Sequence, residues 1–110
     1  MEWRSLFDHL SRKKYPEALL KQAALIQQSP KGNYYDTFRG RLLFPILNLQ
    51  NKTIAFGGRL IADQEGPKYL NSPETPIFFK RRELYGLNLA KKYIDREWPN
   101  LILVEGYMDF

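Results

Sequence analysis

Cysteine is absent from the 110 residues, and histidine occurs only once, at His9. Structural disulfides and zinc sites with thiolate ligands are therefore excluded within this chain, and one histidine cannot build a metal cluster. Long apolar runs are also absent, since none approaches the roughly 18 residues that span a bilayer. These absences predict a protein of the cytoplasm that makes no contact with a membrane.

What the chain does have is apolar side chains and an excess of positive charge. Hydrophobic residues make up 44% of it and aromatic residues 15%, which favours one folded domain with a modest core over a disordered chain. Residues 31–82 hold nine basic and four acidic side chains, so this segment carries the whole net charge of +5. A basic surface in loops and short strands suits a polyanionic partner, although ordinary solubilising charge gives the same composition.

Helical spacing of apolar residues occurs in three places. It predicts an amphipathic helix over residues 2–13 and a second helix that starts at Pro16 and carries Ile26 on its apolar side. A third helix is predicted over residues 82–97. The first two helices are interpreted as packing elements and not as sites of chemistry.

Strands are predicted between and after these helices, which makes the fold class α+β. Residues 42–49 and 53–61 are β-rich runs joined by a hairpin turn, and Pro45 favours an edge strand or a bulge in the first run because proline donates no ladder hydrogen bond. A short strand is expected at residues 68–70. Residues 101–104 form a continuous apolar run, typical of a strand that is covered on both faces.

Arg39 and Arg41 stand just before the predicted hairpin. If this stretch is extended, both side chains point to one side, and Gly40 between them lets a partner approach. Two guanidinium groups on one face are suited to phosphates. The same spacing also fits an edge strand that is simply charged on its surface.

Gly57, Gly58 and Arg59 repeat this combination in a tighter form. The glycines predict a bend or a close approach of the backbone to another group, and the arginine adds charge. The signal is weak by itself. It lacks the spacing of a phosphate-binding Walker loop and of a dinucleotide-binding fingerprint.

The most distinctive internal stretch runs from residue 68 to residue 75. Lys68, Tyr69 and Asn71 offer a cation, a ring and an amide, which together can hold a phosphate, stack a base and bond a nucleotide edge. Equally, Asn71 and Ser72 are residue types that bond the backbone of a structural loop. Lys80 opens a basic run of three residues that is otherwise interpreted as a solvated surface.

Two carboxylates, Glu105 and Asp109, follow the predicted strand of residues 101–104. The carboxyl end of such a strand is where open α/β sheets bind ligands, although Glu105 can also face solvent there. Because Mg²⁺ takes carboxylates together with waters and substrate phosphates, these two residues alone do not complete a site. We therefore expect a piece of a larger protein that ends at the edge of an active site.

Six stretches in a fixed order resemble the bacterial replicative DNA primases. Each is weakly specific by itself, but the order is highly specific, and the resemblance runs from about Leu6 to the last residue. The six stretches are YYDTFRGR (34–41), LFPI (43–46), FGGR (56–59), PKYLNSPET (67–75), LYGL (84–87) and VEGYMD (104–109).

The resemblance implies a division of the chain into two parts. Residues 1–98 correspond to the basic N-terminal subdomain of the RNA polymerase domain, and residues 99–110 to the truncated start of the Toprim fold, with its first strand. Glu105 matches the Toprim glutamate, implied to be catalytic and metal-associated, and Asp109 belongs to the same acidic motif. The implied metal is Mg²⁺ or Mn²⁺.

The resemblance also implies binding residues and partners. Positions of the groove for template, primer or incoming nucleotide are matched by Arg39, Arg41, Arg59, Lys68, Tyr69, Asn71 and Lys80. The implied ligands are a single-stranded DNA template, an RNA–DNA hybrid and ribonucleoside triphosphates at the bacterial replication fork. The zinc ribbon and the domain that binds the replicative helicase belong to other parts of such enzymes, and this chain alone is expected to be inactive.

Two other functions remain open at this point. The chain can be a non-catalytic nucleic-acid-binding module whose last strand only completes a core. It can also belong to another Toprim enzyme, such as a topoisomerase or a recombination protein. The stretch of residues 68–75 argues against the second alternative, because it is not part of the Toprim fold itself.

Overall fold

A computed structural model describes residues 3–61, 63–94 and 100–106. Two helices precede two small antiparallel sheets, and a short helix follows them, which confirms the predicted α+β class. The elements in chain order are α1 (Ser5–Arg12), α2 (Glu17–Gln22), β1 (Ile26–Gln28), β2 (Tyr34–Asp36), β3 (Arg41–Leu47), β4 (Thr53–Leu60), β5 (Tyr69–Asn71), a 3-10 helix (Lys80–Arg82) and α3 (Leu87–Ala90).

The first sheet is the β1–β2 hairpin, and α1 and α2 pack against it. Phe7, Leu20 and Ile26 are buried together there, and the ring of Tyr34 stacks on that of Phe7 with 5.8 Å between centroids. The predicted length of the second helix is wrong. It ends before Ala24, whose φ of 61° cannot continue a helix, and Ile26 begins β1 instead.

Asp36, the last residue of β2, fixes the start of α1. Its carboxylate accepts the backbone N–H of Leu6 at 2.8 Å and that of Phe7 at 2.9 Å. These two groups lack partners within the helix, and a negative charge at this end is also favoured by the helix dipole. Since Asp36 is only 3% exposed, the contact ties the helix to the hairpin inside the protein.

The second sheet has the strand order β3–β4–β5. The β3–β4 hairpin confirms the prediction, and Pro45 lies on β3, an edge strand of this sheet, as expected. Asn48 shapes the tip of the hairpin, because its side-chain oxygen accepts the backbone N–H groups of Gln50 and Lys52. Asn51 takes the left-handed conformation that this turn requires.

A second core lies against this sheet. Ile46, Ile54, Ala55 and Phe78 are buried there, and Tyr85 packs against them. The tip of the hairpin is held from the side of α3, since buried Asn88 donates a side-chain hydrogen bond to Asn51 at 2.8 Å, and Lys91 donates one to the carbonyl of Leu49. These two contacts attach α3 and the residue after it to the tip of the hairpin.

The C-terminal elements differ from the prediction. The helix predicted over residues 82–97 is shorter in the structure, where α3 spans four residues. Residues 95–99 lie outside the described part of the chain. Residues 101–104 belong to no strand, and Ile102 is 89% exposed. A strand of this type is stabilised by pairing with neighbours, and no described strand lies beside it. Within the described ranges, no helix is long and apolar enough to cross a membrane.

We predict that Asp36→Asn destabilises the protein by about 2 kcal/mol. The amide replaces one accepting oxygen with an N–H donor that faces the helix N-terminus, and the negative charge is lost. The measurement is the free energy of unfolding from urea denaturation.

Asp8→Asn is the matched control, because Asp8 is an exposed aspartate whose carboxylate lies 3.7 Å from the guanidinium of Arg4 on the helix surface. It should change the free energy of unfolding by less than about 0.5 kcal/mol. Equal stability of Asp36→Asn and the wild type would contradict the capping role.

Candidate nucleic-acid interface

The pairing register of the second sheet separates the candidate residues onto two faces. Leu42 lies opposite Arg59, and Arg59 lies opposite Tyr69, so these three side chains share one face. Arg41 lies opposite Leu60 and shares the other face with it. The predicted basic residues are therefore not one continuous patch.

Two cations lie close to the Tyr69 ring of the first face. The guanidinium carbon of Arg59 lies 5.6 Å from the centroid of the Tyr69 ring, and Nζ of Lys68 lies 5.9 Å from it. Tyr69 is 40% exposed, so its ring is available to a ligand while both charges stay beside it. We call Arg59, Lys68 and Tyr69 the basic–aromatic cluster.

A cleft of about 700 Å³ adjoins this cluster. Tyr69 and Asn71 form one wall of it, and residues 83–87 together with Ala90 form another. Residues 101–106 also line the cleft, so the predicted Glu105, Tyr69 and Asn71 border the same cavity. Glu105 is exposed, which fits both a carboxylate that meets a ligand and one that only faces solvent.

Arg39 lies away from this cleft and has partners within the protein. Its guanidinium carbon lies 4.4 Å from the ring of Trp3 and 5.0 Å from the ring of Tyr35. It also donates a hydrogen bond to the backbone carbonyl of Asp36 at 2.6 Å. These contacts hold Arg39 in the N-terminal packing, and its predicted contact with nucleic acid stays a prediction.

Arg41 and Arg39 both line a second cleft. The alternating spacing does not account for this, because Gly40 between them has a φ of 58° and the stretch is not extended. Its Nη1 donates to the carbonyl of Pro67 at 2.8 Å and lies 3.5 Å from the carbonyls of Gly58 and Lys68. Burial, and secondarily the charge of Arg39, lower the pKa of Arg41 from its ordinary value.

The structure shows why one of the two glycines in FGGR, Gly58, has no side chain. A Cβ at this position would stand 2.9 Å from Cδ1 of Phe38 and 3.0 Å from Cδ of Arg41. The glycines predicted a close approach of the backbone to another group. At Gly58 the groups that approach are the side chains of Phe38 and Arg41. Gly58 is needed here so that Phe38 and Arg41 can pack flat across β4.

The stretch of residues 68–75 has two roles along its length. Lys68 and Tyr69 are exposed, whereas Ser72 is 1% exposed and its Oγ accepts the backbone N–H of Phe56 at 3.0 Å. Buried Thr75 closes a turn through reciprocal backbone hydrogen bonds with Phe78 at 3.1 Å. The structural interpretation of this stretch therefore applies to its end, and the binding interpretation of its exposed start stays a prediction.

Lys80 lies exposed in the 3-10 helix, and Asp109 lies outside the described residues. Across the described ranges, no group of three His, Cys, Asp or Glu side chains could hold a metal ion. The stacking of Arg39 on Trp3 has no local sequence signal, because the two residues are far apart in the chain and the helical pattern assigns Trp3 to the apolar side of the first helix.

Comparisons with known proteins agree with this architecture. Residues 1–91 match the model of the family described as the DNA primase catalytic core, N-terminal domain. The DNA primase of Synechocystis is 50% identical over 97% of this chain. The catalytic core of E. coli primase superposes with a TM-score of 0.83 at 40% identity, over 98% of this chain and 34% of that one.

A further solved structure, of the DnaG primase catalytic domain bound to single-stranded DNA, superposes with a TM-score of 0.82 at 41% identity. The superposition covers 98% of this chain and 34% of that domain. The chain spans only 17% of the length of the Synechocystis relative, so it corresponds to one part of such enzymes. The match over residues 1–91, more than four fifths of the sequence, shows that the chain belongs to the family of N-terminal domains of the DNA primase catalytic core.

Proposed function

We propose that this chain holds single-stranded template DNA and the nascent RNA–DNA hybrid in a primase that makes short RNA primers for replication. The observation that carries the proposal is the basic–aromatic cluster, in which Arg59 and Lys68 lie close to the exposed ring of Tyr69. A relative with the same fold and bound single-stranded DNA supports this choice of partner.

The chemistry of the cluster suits a single strand. An exposed ring stacks on any base, and adjacent cations contact phosphates, which positions a strand without reading its sequence. A primase must accept many template sequences, so binding of this kind fits the reaction. Asn71 at the edge of the neighbouring cleft and the exposed Lys80 would extend the contact toward an incoming ribonucleoside triphosphate.

The catalytic part of the proposal rests on Glu105. It lies exposed in the cleft that Tyr69 and Asn71 also line, where a carboxylate can meet a nucleotide that the cluster holds. Glu105 and Asp109 would hold Mg²⁺ or Mn²⁺, and a bound metal of this kind stabilises charge on the attacking and leaving oxygens. Since the described residues offer an incomplete ligand set, the remaining ligands would come from other parts of the enzyme and from substrate phosphates.

The role of the chain in the whole enzyme follows from these two assignments. The cluster would orient the template and primer strands. The primer hydroxyl would attack the α-phosphate next to Glu105. This chain alone would bind nucleic acid and make no primer. The zinc ribbon and the contact with the replicative helicase would belong to other domains of the same cytoplasmic enzyme.

For template binding, we predict that labelled single-stranded DNA binds this chain in a salt-sensitive way and that Arg59→Ala/Lys68→Ala weakens it. Fluorescence anisotropy at several salt concentrations measures both effects. The slope of the logarithm of the binding constant against the logarithm of salt concentration should become shallower by about 0.7 for each phosphate that the variant no longer neutralises.

The matched control is Arg12→Ala/Lys13→Ala, which removes the same charge from exposed residues at the end of α1. It should leave the salt slope nearly unchanged. Equal weakening by both double variants would mean that only net charge matters and that the cluster is not the binding surface.

For catalysis, we predict that Glu105→Gln in the longer enzyme that contains this chain lowers primer synthesis by about 100-fold or more, with template affinity nearly unchanged. Glu83→Gln is the control, because Glu83 is a carboxylate that lines the same cleft. It should keep most of the synthesis. Normal primer synthesis by Glu105→Gln would exclude the catalytic role and favour a module that only binds nucleic acid.

A further inference from the structure

We propose that Arg41 is a positioning residue, which holds the chain before β5 so that Lys68 and Tyr69 face the nucleic acid, and that it does not contact phosphate. This inference rests on the proposed function of the basic–aromatic cluster. It replaces the expectation that Arg41 acts as one of two phosphate-gripping arginines.

The hydrogen bonds of Arg41 go to backbone carbonyls of the same chain. Its Nη1 donates to the carbonyl of Pro67 at 2.8 Å and lies within 3.5 Å of the carbonyls of Gly58 and Lys68. The same Lys68 carbonyl accepts the backbone N–H of Leu60 at 2.9 Å. The guanidinium therefore reinforces the point where β4 and the start of β5 first pair.

The surroundings of the side chain support a fixed position. Gly58 lies beneath the Arg41 stem, since a Cβ there would stand 3.0 Å from Cδ. Gly66, with a φ of +127°, brings the loop against the guanidinium, so that a Cβ there would stand 3.4 Å from Nη2. Two glycines thus make room for one arginine, an arrangement that a phosphate contact from solution does not need.

The sheet register separates Arg41 from the cluster that it supports. Arg41 and Leu60 share one face, and Arg59 and Tyr69 share the other. A nucleic-acid strand whose base stacks on Tyr69 therefore lies against the face of the sheet opposite to that of Arg41. Arg41 therefore affects the bound nucleic acid through the backbone of Pro67 and Lys68.

The test compares Arg41→Gln with Arg59→Gln, which removes the same charge from the cluster. Binding of labelled single-stranded DNA to this chain is measured over a range of salt concentrations, and amide hydrogen exchange is measured at Leu60. We expect Arg41→Gln to weaken binding severalfold with an unchanged salt slope and to speed exchange at Leu60. Arg59→Gln should make the slope shallower by about 0.7 and leave exchange at Leu60 unchanged.

A shallower slope for Arg41→Gln, with normal exchange at Leu60, would overturn the proposal and make Arg41 a direct phosphate contact. If Arg41→Gln does not fold, Arg41→Lys replaces it, because it keeps the charge and loses the planar group that spans the carbonyls. Faster exchange at Leu60 in that variant supports positioning, and wild-type exchange contradicts it. Absence of wild-type binding would instead refute the proposed function, and with it the purpose of the positioning.

Discussion

The central strand β4 is the element on which the candidate site depends, because it pairs with β3 on one side and β5 on the other. Its antiparallel pairing places Arg59 directly opposite Tyr69, so a cation from one strand meets a ring from the next without any loop having to bring them together. Sites built on paired strands are held more precisely than sites on loops. The ladder of backbone hydrogen bonds therefore provides stability and the geometry of the basic–aromatic cluster at the same time.

Two anchors keep the neighbouring elements in place around this sheet. Asp36 ties α1 to the β1–β2 hairpin by accepting two helix N–H groups, and Asn88 ties α3 to the tip of the β3–β4 hairpin. Both are buried polar side chains whose hydrogen-bonding groups have partners, as a stable interior requires. Leu87 and Ala90 of α3 line the same cleft as Glu105, so the second anchor holds one side of that cleft.

Local patterns predicted much of the fold. The amphipathic spacing around Phe7, the hairpin turn at residues 50–52 and the edge position of Pro45 all follow from neighbouring residues. Contacts over long sequence separation could not be predicted in this way. Neither the capping of α1 by Asp36, about thirty residues away, nor the stack of Arg39 on Trp3 leaves a periodic signal. The apolar run of residues 101–104 shows the converse, since its pattern predicts a strand and the structure gives it no strand neighbour among the described residues.

The three arginines of the basic segment show why residue type alone does not assign a role. Arg39 lies over the rings of Trp3 and Tyr35, Arg41 donates to backbone carbonyls, and Arg59 stands beside a half-exposed tyrosine. Desolvation lowers the pKa of Arg41, yet arginine remains protonated at any ordinary pH, so its positive charge persists while its hydrogen bonds go to backbone carbonyls. A guanidinium that is committed to carbonyls acts through geometry, whereas one that lies beside an exposed ring acts through charge. The partners of each arginine, more than its presence in a basic motif, therefore decide which of them can contact a nucleic acid.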